Sequence, residues 1–280
     1  MRVASNRRGL RGAIAGCVTL GLICAMAIAV YLVGIEAEDA RIDRKRAYNF
    51  TRFLAGQSLP GTPELGRLNE RLQAAGFAPF APIFMRLFKR EFELELWVKR
   101  GDGFQHFATY PVCNWSGRLG PKFREGDRQA PEGFYAVDAK ALNPQSRWHR
   151  SFNLGFPNAF DRANARTGSL LMVHGGCSSI GCFAMTNAII DELWEAITGA
   201  LANGQKKIHV HVFPFRMTTE AMTATATHDA APFWQTLKRG YDAFETTGQL
   251  PEISVCGRRY DVKGPSSVGA ADATKAEKCD

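Results

Sequence analysis

Between Leu170 and Leu201 the chain passes from an apolar run through His174-Gly175-Gly176-Cys177-Ser178-Ser179-Ile180-Gly181-Cys182 into an amphipathic run that begins at Asn187. This stretch limits the fold more than any other. Leu170 to Val173 reads as a strand. Asn187 to Leu201 reads as a helix, with Ile190, Leu193, Trp194 and Ile197 on one face and a stop at Asn203-Gly204. A histidine and two cysteines therefore sit on a glycine-rich turn between a strand and a helix, where thiols are costly unless they do something.

The residue types suggest what that is. A thiol is a strong nucleophile only as thiolate, and an ordinary cysteine is mostly protonated at neutral pH. A nearby imidazole can take the proton, which suits a Cys–His pair to acyl transfer. Glycines bring the backbone close to a substrate and turn amides toward a developing oxyanion. Either Cys177 or Cys182 could attack. Cys182 is favoured because it stands closer to the coming helix, whose positive end stabilises a thiolate. A Cys177–Cys182 disulfide is the competing reading, and geometry would decide it.

The 280 residues suffice for one large or two small domains, and the 45% hydrophobic content is that of a globular protein with a core. The formal charge of +8 suits an anionic polymer or a membrane surface. No recognition helix, zinc-finger spacing or RNA-binding signature is present, so nucleic acid is not an expected partner. The seven cysteines match no zinc motif, and in an exported protein an odd one stays free or reactive. His209-x-His211 puts two imidazoles on one strand face without an evident third ligand. We read them as ordinary strand residues and expect no metal or cofactor.

Arg2, Arg7, Arg8 and Arg11 precede a charge-free run from Gly12 to Ile35, long enough to span a bilayer. Basic residues before it and Glu36 and Asp39 after it predict a cytoplasmic N-terminus and an external remainder. An uncleaved inner-membrane anchor is favoured over a cleaved signal peptide by the length of the run. Ile14-Ala15-Gly16-Cys17 comes too early to be a lipoprotein cleavage box.

Residues 36–78 read as a polar juxtamembrane region, helical over Glu36–Phe53 and again over Glu64–Ala75. Residues 79–217 read as a β-rich catalytic domain. Phe92 to Val98 alternates as a half-buried strand, Gly101-Asp102-Gly103 turns, and Phe104 to Val112 returns as its partner. Asn114 to Pro131 is a long loop carrying Arg118, Lys122, Arg124 and Arg128, either solvated or a cationic rim for substrate carboxylates. Gly133 to Val137 is a strand. Asn143 to Asp161, with Trp148, His149 and Phe156, is an irregular cleft wall. Arg166 to Val173 is the strand that delivers His174, and Lys207 to Phe215 is another. Residues 218–262 extend this domain with helices, notably Ala231 to Phe244, and a short strand or hairpin over Ile253–Val262. Residues 263–280 read as a disordered tail.

Several motifs together resemble the YkuD-type L,D-transpeptidases. They are Val173-His174-Gly175 with Ser179-Ile180-Gly181-Cys182, and Ala130-Pro131-Glu132-Gly133-Phe134-Tyr135. Trp115-Ser116-Gly117-Arg118-Leu119-Gly120-Pro121-Lys122 and Phe213-Pro214-Phe215-Arg216-Met217 are similar to segments of its YafK-like subgroup. That subgroup shares the replacement of the family's usual histidine by Ile180 and of its usual arginine by Ala184.

The resemblance implies an α+β, β-rich domain with packed helices. It implies Cys182 as nucleophile and His174 as general base, its tautomer set by the Gly175 carbonyl. Gly181 and Cys182 amides would hold the oxyanion, and Ser179 would orient the turn. Arg118, Lys122, Arg124 and Trp148 are candidates for substrate contact. The implied substrate is a diaminopimelate-containing peptidoglycan stem peptide in the periplasm. The implied reaction is transpeptidation, or hydrolysis of a diaminopimelate-linked bond that would release wall-attached lipoprotein. A non-catalytic wall-binding module is the reading from outside enzymology.

Overall fold

The computed structural model describes residues 36–265, with Met26, Val33 and Gly34 besides. The expected anchor at 12–35 therefore lies almost wholly outside the described residues. Among those described, no helix is long and apolar enough to cross a membrane. The chain divides into two compact units, residues 1–47 and 48–280. In the first, residues 36–47 are helical. The second opens with helical residues 48–54 and carries all the elements below.

A five-stranded sheet forms its centre. Strand β1 (Ile83–Phe88) pairs antiparallel with β2 (Glu93–Arg100), which pairs antiparallel with β3 (Gly103–Pro111). A second sheet begins at β4 (Asn114–Trp115). Strand β5 (Gly133–Val137) belongs to the first sheet, and β6 (Leu142–Asn143), β7 (Ser151–Asn153), β8 (Met172–His174) and β9 (Phe183–Ala184) to the second. Strand β10 (Ile208–Phe213) completes the first sheet, in the order β3-β2-β1-β10-β5, with β1 and β10 parallel. Every residue of β1 and β10 is buried, as befits central strands covered on both faces. The second sheet runs β4-β9-β8-β7-β6, with β8 and β9 parallel. Strands β11 (Pro251–Cys256) and β12 (Arg259–Pro265) form a separate hairpin.

Besides the opening helical segment, the described residues of the unit form helices α1 (Leu68–Ala74), α2 (Ala159–Ala163), α3 (Asn187–Ala202), α4 (Thr219–Ala224) and α5 (Ala231–Thr247). Thr186 caps α3 by accepting the Ile189 N–H, and α3 buries Ile189, Ile190, Leu193, Ala196 and Ile197 at helical spacing. Helix α5 buries Trp234, Leu237 and Phe244 and ends at Gly248, φ 65°. Gly240 lets it approach the sheet: a Cβ there would lie 2.5 Å from Phe134.

Four expectations change. The strand leading to His174 is only Met172–His174, because residues 166–171 are held irregularly by tertiary bonds. Arg166 pairs with Asp161, Thr167 N–H donates to the Phe123 carbonyl, and Leu170 adopts φ 55°. The wall at 143–161 contains β7 and α2. Helix α1 starts later than expected, at Leu68. The last strand continues to Pro265, past the expected start of the tail.

The second unit also buries an ion pair. Lys89, just beyond β1, and Glu132, just before β5, are both fully enclosed, and Lys89 Nζ lies 2.8 Å from Glu132 Oε1. The ammonium also donates to the carbonyls of Arg118, Gly120 and Ala130. Glu132 accepts from Gly120 N–H and Trp234 Nε1. Removing one partner of such a pair strands a charge and costs about 3–5 kcal/mol. Glu132→Ala is expected to lower the unfolding free energy by that amount, seen as a lower urea midpoint with an unchanged slope. A shift below about 1 kcal/mol would show that the pair is not structural.

Candidate active site

His174 ends β8, and Cys182 immediately precedes the parallel neighbour β9, with His174 in register with Ala184. Side chains alternate along a strand, so carrying that alternation back from Ala184 puts Cys182 on the face of His174. The turn between them is built by backbone conformations that favour glycine: Gly176 has φ 86° and Gly181 φ 97°. Gly175 is also confined. A Cβ there would meet Asn187 Oδ1 at 2.6 Å and the Trp148 carbonyl at 3.1 Å.

His174 is buried, and its Nδ1 lies 2.6 Å from the Gly175 carbonyl oxygen. That bond assigns the proton to Nδ1 and leaves Nε2 as the basic nitrogen. Burial lowers the imidazole's pKa, and the bond to Gly175 opposes this. The half-exposed indole of Trp148 lies over the imidazole, centroids 6.0 Å apart. Gly176 makes room for it, since a Cβ there would stand 3.1 Å from the indole.

Cys182 is the free cysteine among the described residues. Its Sγ accepts from Met172 N–H at 3.4 Å and donates to the Leu170 carbonyl at 3.7 Å. Burial pushes the thiol pKa up, while Met172 N–H and the charge of Lys122 pull it down. The helix dipole is not at hand as the sequence suggested: α3 begins only at Asn187, beyond β9. Burial thus disfavours the charged form of both groups.

The competing cysteine is committed elsewhere. Cys177 is bonded to Cys113, 64 positions away, with their Cα atoms 5.1 Å apart. The expected alternative of a Cys177–Cys182 bridge is excluded by this pairing. Cys113 is half of the bridge, and Cys256 is also disulfide-bonded. The bridge holds Cys177 at φ 42°, a strained conformation for a residue with a side chain.

Ser179 Oγ donates to the Cys182 carbonyl at 2.7 Å, across the turn. Gly181 N–H, expected to face an oxyanion, instead donates to Ser116 Oγ, and Ser116 in turn donates to the Arg128 carbonyl. The basic loop is only partly a rim. Arg118 and Arg124 are exposed, but Lys122 is 4% exposed and bound to Asp127 Oδ1 and the Arg124 carbonyl. Lys122 is therefore a buried cation acting on Cys182. His209 and His211 are buried strand residues, and no metal-binding cluster occurs among the described residues.

Residues 93–220 match the L,D-transpeptidase catalytic domain, YkuD. YafK of Escherichia coli K12, by its name a candidate L,D-transpeptidase, is 44% identical over 214 residues, which cover 76% of this chain and 85% of that protein. YafK of Escherichia coli O157:H7 matches equally. The chain belongs to the YkuD-type L,D-transpeptidase family. Among solved structures it is similar to the helical cell shape determining protein Pgp2 of Campylobacter jejuni. That match has 18% identity and a TM-score of 0.39, covering 63% of this chain and 66% of that one. Bd1075 of Bdellovibrio bacteriovorus is similar at 18% identity and a TM-score of 0.37, covering 56% of this chain and 57% of that one. The chain thus spans just under two thirds of the first of these structures.

The transpeptidase domain uses residues that sequence reasoning passed over. Ser116 lay in a quoted motif but carried no role. The partner of Cys177 had no local signal. A non-reducing peptide map of the protein is expected to show the Cys113 peptide cross-linked through Cys177 to the peptide that carries both Cys177 and Cys182, with Cys182 alkylated. A Cys177–Cys182 cross-link would overturn the assignment.

Proposed function

We propose that this protein is a peptidoglycan L,D-transpeptidase working by cysteine acyl transfer, with Cys182 as nucleophile and His174 as base. The observations that support the reading are the free thiol of Cys182, next to the strand paired with that of His174, and an imidazole whose Nδ1–H is tied to the Gly175 carbonyl. The bond matches what a general base needs: one nitrogen fixed, the other open.

In this mechanism Nε2 takes the Cys182 proton as the thiolate attacks the carbonyl of a diaminopimelate-containing stem peptide. The tetrahedral oxyanion is held by the Cys182 main-chain N–H, joined by that of Gly181 once it leaves Ser116 Oγ. The imidazolium returns its proton to the departing amine, leaving a thioester. An acceptor amine, deprotonated by His174, attacks the thioester, forms the new amide and restores the thiol. Water in the amine's place would hydrolyse the same thioester. Because burial disfavours both charged forms, proton transfer accompanies attack instead of preceding it. Lys122, held by Asp127, favours the charged sulfur. Trp148 walls the imidazole, and Arg118 and Arg124 are positioned in sequence to meet substrate carboxylates.

The Cys113–Cys177 bridge supports an oxidising compartment, hence a periplasmic domain, with residues 12–35 as its inner-membrane anchor. Peptidoglycan is the partner; no nucleic acid is invoked.

Purified sacculi incubated with the protein and an amine acceptor, then digested and analysed by mass spectrometry, should contain new amide cross-links or amine-exchanged stems. Cys182→Ala should abolish them, and His174→Ala should slow them about 10²–10⁴-fold. Full activity of Cys182→Ala, or sacculi bound but unaltered, would sink the proposal. Trimmed stems or released protein without exchange would reassign the acceptor to water.

The pKa directions also set a pH profile. His174 must be neutral to act as base, and its pKa is lowered, so the acid limb of kcat/KM should have its midpoint below about 6.5. The Cys182 pKa is raised, so alkylation of the resting enzyme by iodoacetamide should still be increasing above pH of about 8.5. A resting thiolate–imidazolium pair would instead give alkylation that is already at its plateau at neutral pH.

A further inference from the structure

We propose that Asn49, in the helical segment that opens the second unit, is a positioning residue for the catalytic turn, acting through the Cys113–Cys177 bridge. This rests on Cys182 and His174 being the reacting pair, and it assigns a role to a segment far from them in sequence.

The chain of contacts is continuous. The Asn49 side chain is 1% exposed, and its Nδ2 donates to the carbonyls of Val112 at 3.1 Å and Cys113 at 3.2 Å. A single amide thus fixes two successive peptide groups at the point where the chain leaves β3. Phe53, one helical turn further on, packs with Leu59 against the two bridged cysteines. From Cys113 the restraint forks. Covalently it passes through the bridge to Cys177, inside the turn that separates His174 from Cys182. Through backbone bonds it passes to β9: Cys113 N–H donates to the Ala184 carbonyl at 2.9 Å, and Asn114 pairs with Ala184. The turn is closed from its own side as well, since Cys177 N–H reaches the Met185 carbonyl and Met185 N–H the His174 carbonyl.

Cys177 makes the device necessary. Its left-handed backbone is unfavourable for a residue with a Cβ and persists only where surroundings over-determine it. The bridge supplies that determination, and Asn49 and Phe53 hold the far end of the bridge still. The partners of Cys182 sulfur are set by the register of β8 against β9. A slip at Cys113 therefore shifts the sulfur relative to Nε2, and misplacement of about 1 Å at a reacting pair costs roughly a hundredfold.

The test uses the full chain with three variants. Asn49→Ala removes the amide, Asn49→Leu removes it while keeping the volume, and Cys113→Ser/Cys177→Ser removes the bridge. Each is assayed for kcat and KM on muropeptides and for the pH dependence of iodoacetamide addition to the Cys182 peptide, with thermal melts alongside. Both Asn49 variants are expected to lose roughly ten- to a hundredfold in kcat, with KM within about twofold and a displaced alkylation profile. The bridge variant, if folded, is expected to match them. If it does not fold, the Asn49 pair decides alone. Wild-type kcat and alkylation profile in Asn49→Leu, whatever its melting temperature, would reduce Asn49 to packing and overturn the proposal. Absence of turnover and of Cys182 alkylation in the wild type would instead count against the reacting pair itself.

Discussion

A fully buried ammonium organises the loop that the active site depends on. Lys89 Nζ is surrounded by three main-chain carbonyls and one carboxylate, all but the first contributed by residues 120–132. This cluster winds the loop between β4 and β5 around a fixed charge. Ser116, which holds Gly181, and Lys122, which acts on Cys182, both belong to that loop. A buried ion pair is weak evidence for net stability, because desolvation offsets the attraction. Its value here is definition of one loop conformation. An apolar pair of equal volume could fill the space but could not satisfy the carbonyls of Arg118, Gly120 and Ala130.

Much of this architecture was legible where one local signal decides. The β2–β3 hairpin followed from alternation and the Gly101-Asp102-Gly103 turn. Helix α3 followed from its apolar stripe and the Asn203-Gly204 stop. The Gly175 carbonyl as partner of His174 followed from family resemblance and is present in the structure. What failed to show was decided at a distance. Residues 166–170 are β-prone but irregular, with Asp161 and Phe123 holding Arg166 and Thr167 outside the ladder, whereas Leu171 still accepts from Leu154 N–H next to it. Lys122 looked like its exposed neighbours Arg118 and Arg124; only the folded position of Asp127 separates it from them. The odd cysteine count announced a free thiol, but a partner 64 residues away leaves no trace in spacing.

The electrostatics of the pair follow from the same enclosure. Burial disfavours the charged form of each group, so it raises the thiol and lowers the imidazole. Such a pair is poorly suited to storing a thiolate. It is suited to making one when a carbonyl is in place, since an imidazole kept neutral is a competent base below the pH at which an exposed one would be protonated. A resting thiol also resists oxidation, which follows thiolate character and exposure. That matters in a compartment oxidising enough to maintain the Cys113–Cys177 bridge.

The surroundings of the sulfur argue for a substrate that brings its own cover. Leu170 and Ile180 are 69% and 75% exposed, and both border Cys182, one through its carbonyl and one two residues away. Large apolar side chains held in the open beside a half-buried thiol gain free energy only when something covers them, at about 25 cal/mol per Å². Covering them would also exclude water from the thiol, deepening the desolvation that keeps it neutral until attack. Strain fits the same picture: Leu170 holds φ 55° while offering its carbonyl to the sulfur, a conformation favoured by glycine and imposed here on a leucine. A glycine at that position would relieve the backbone and remove the apolar cover together. The strained leucine thus couples the hydrogen bond that orients the thiol to the surface that a bound stem peptide would bury.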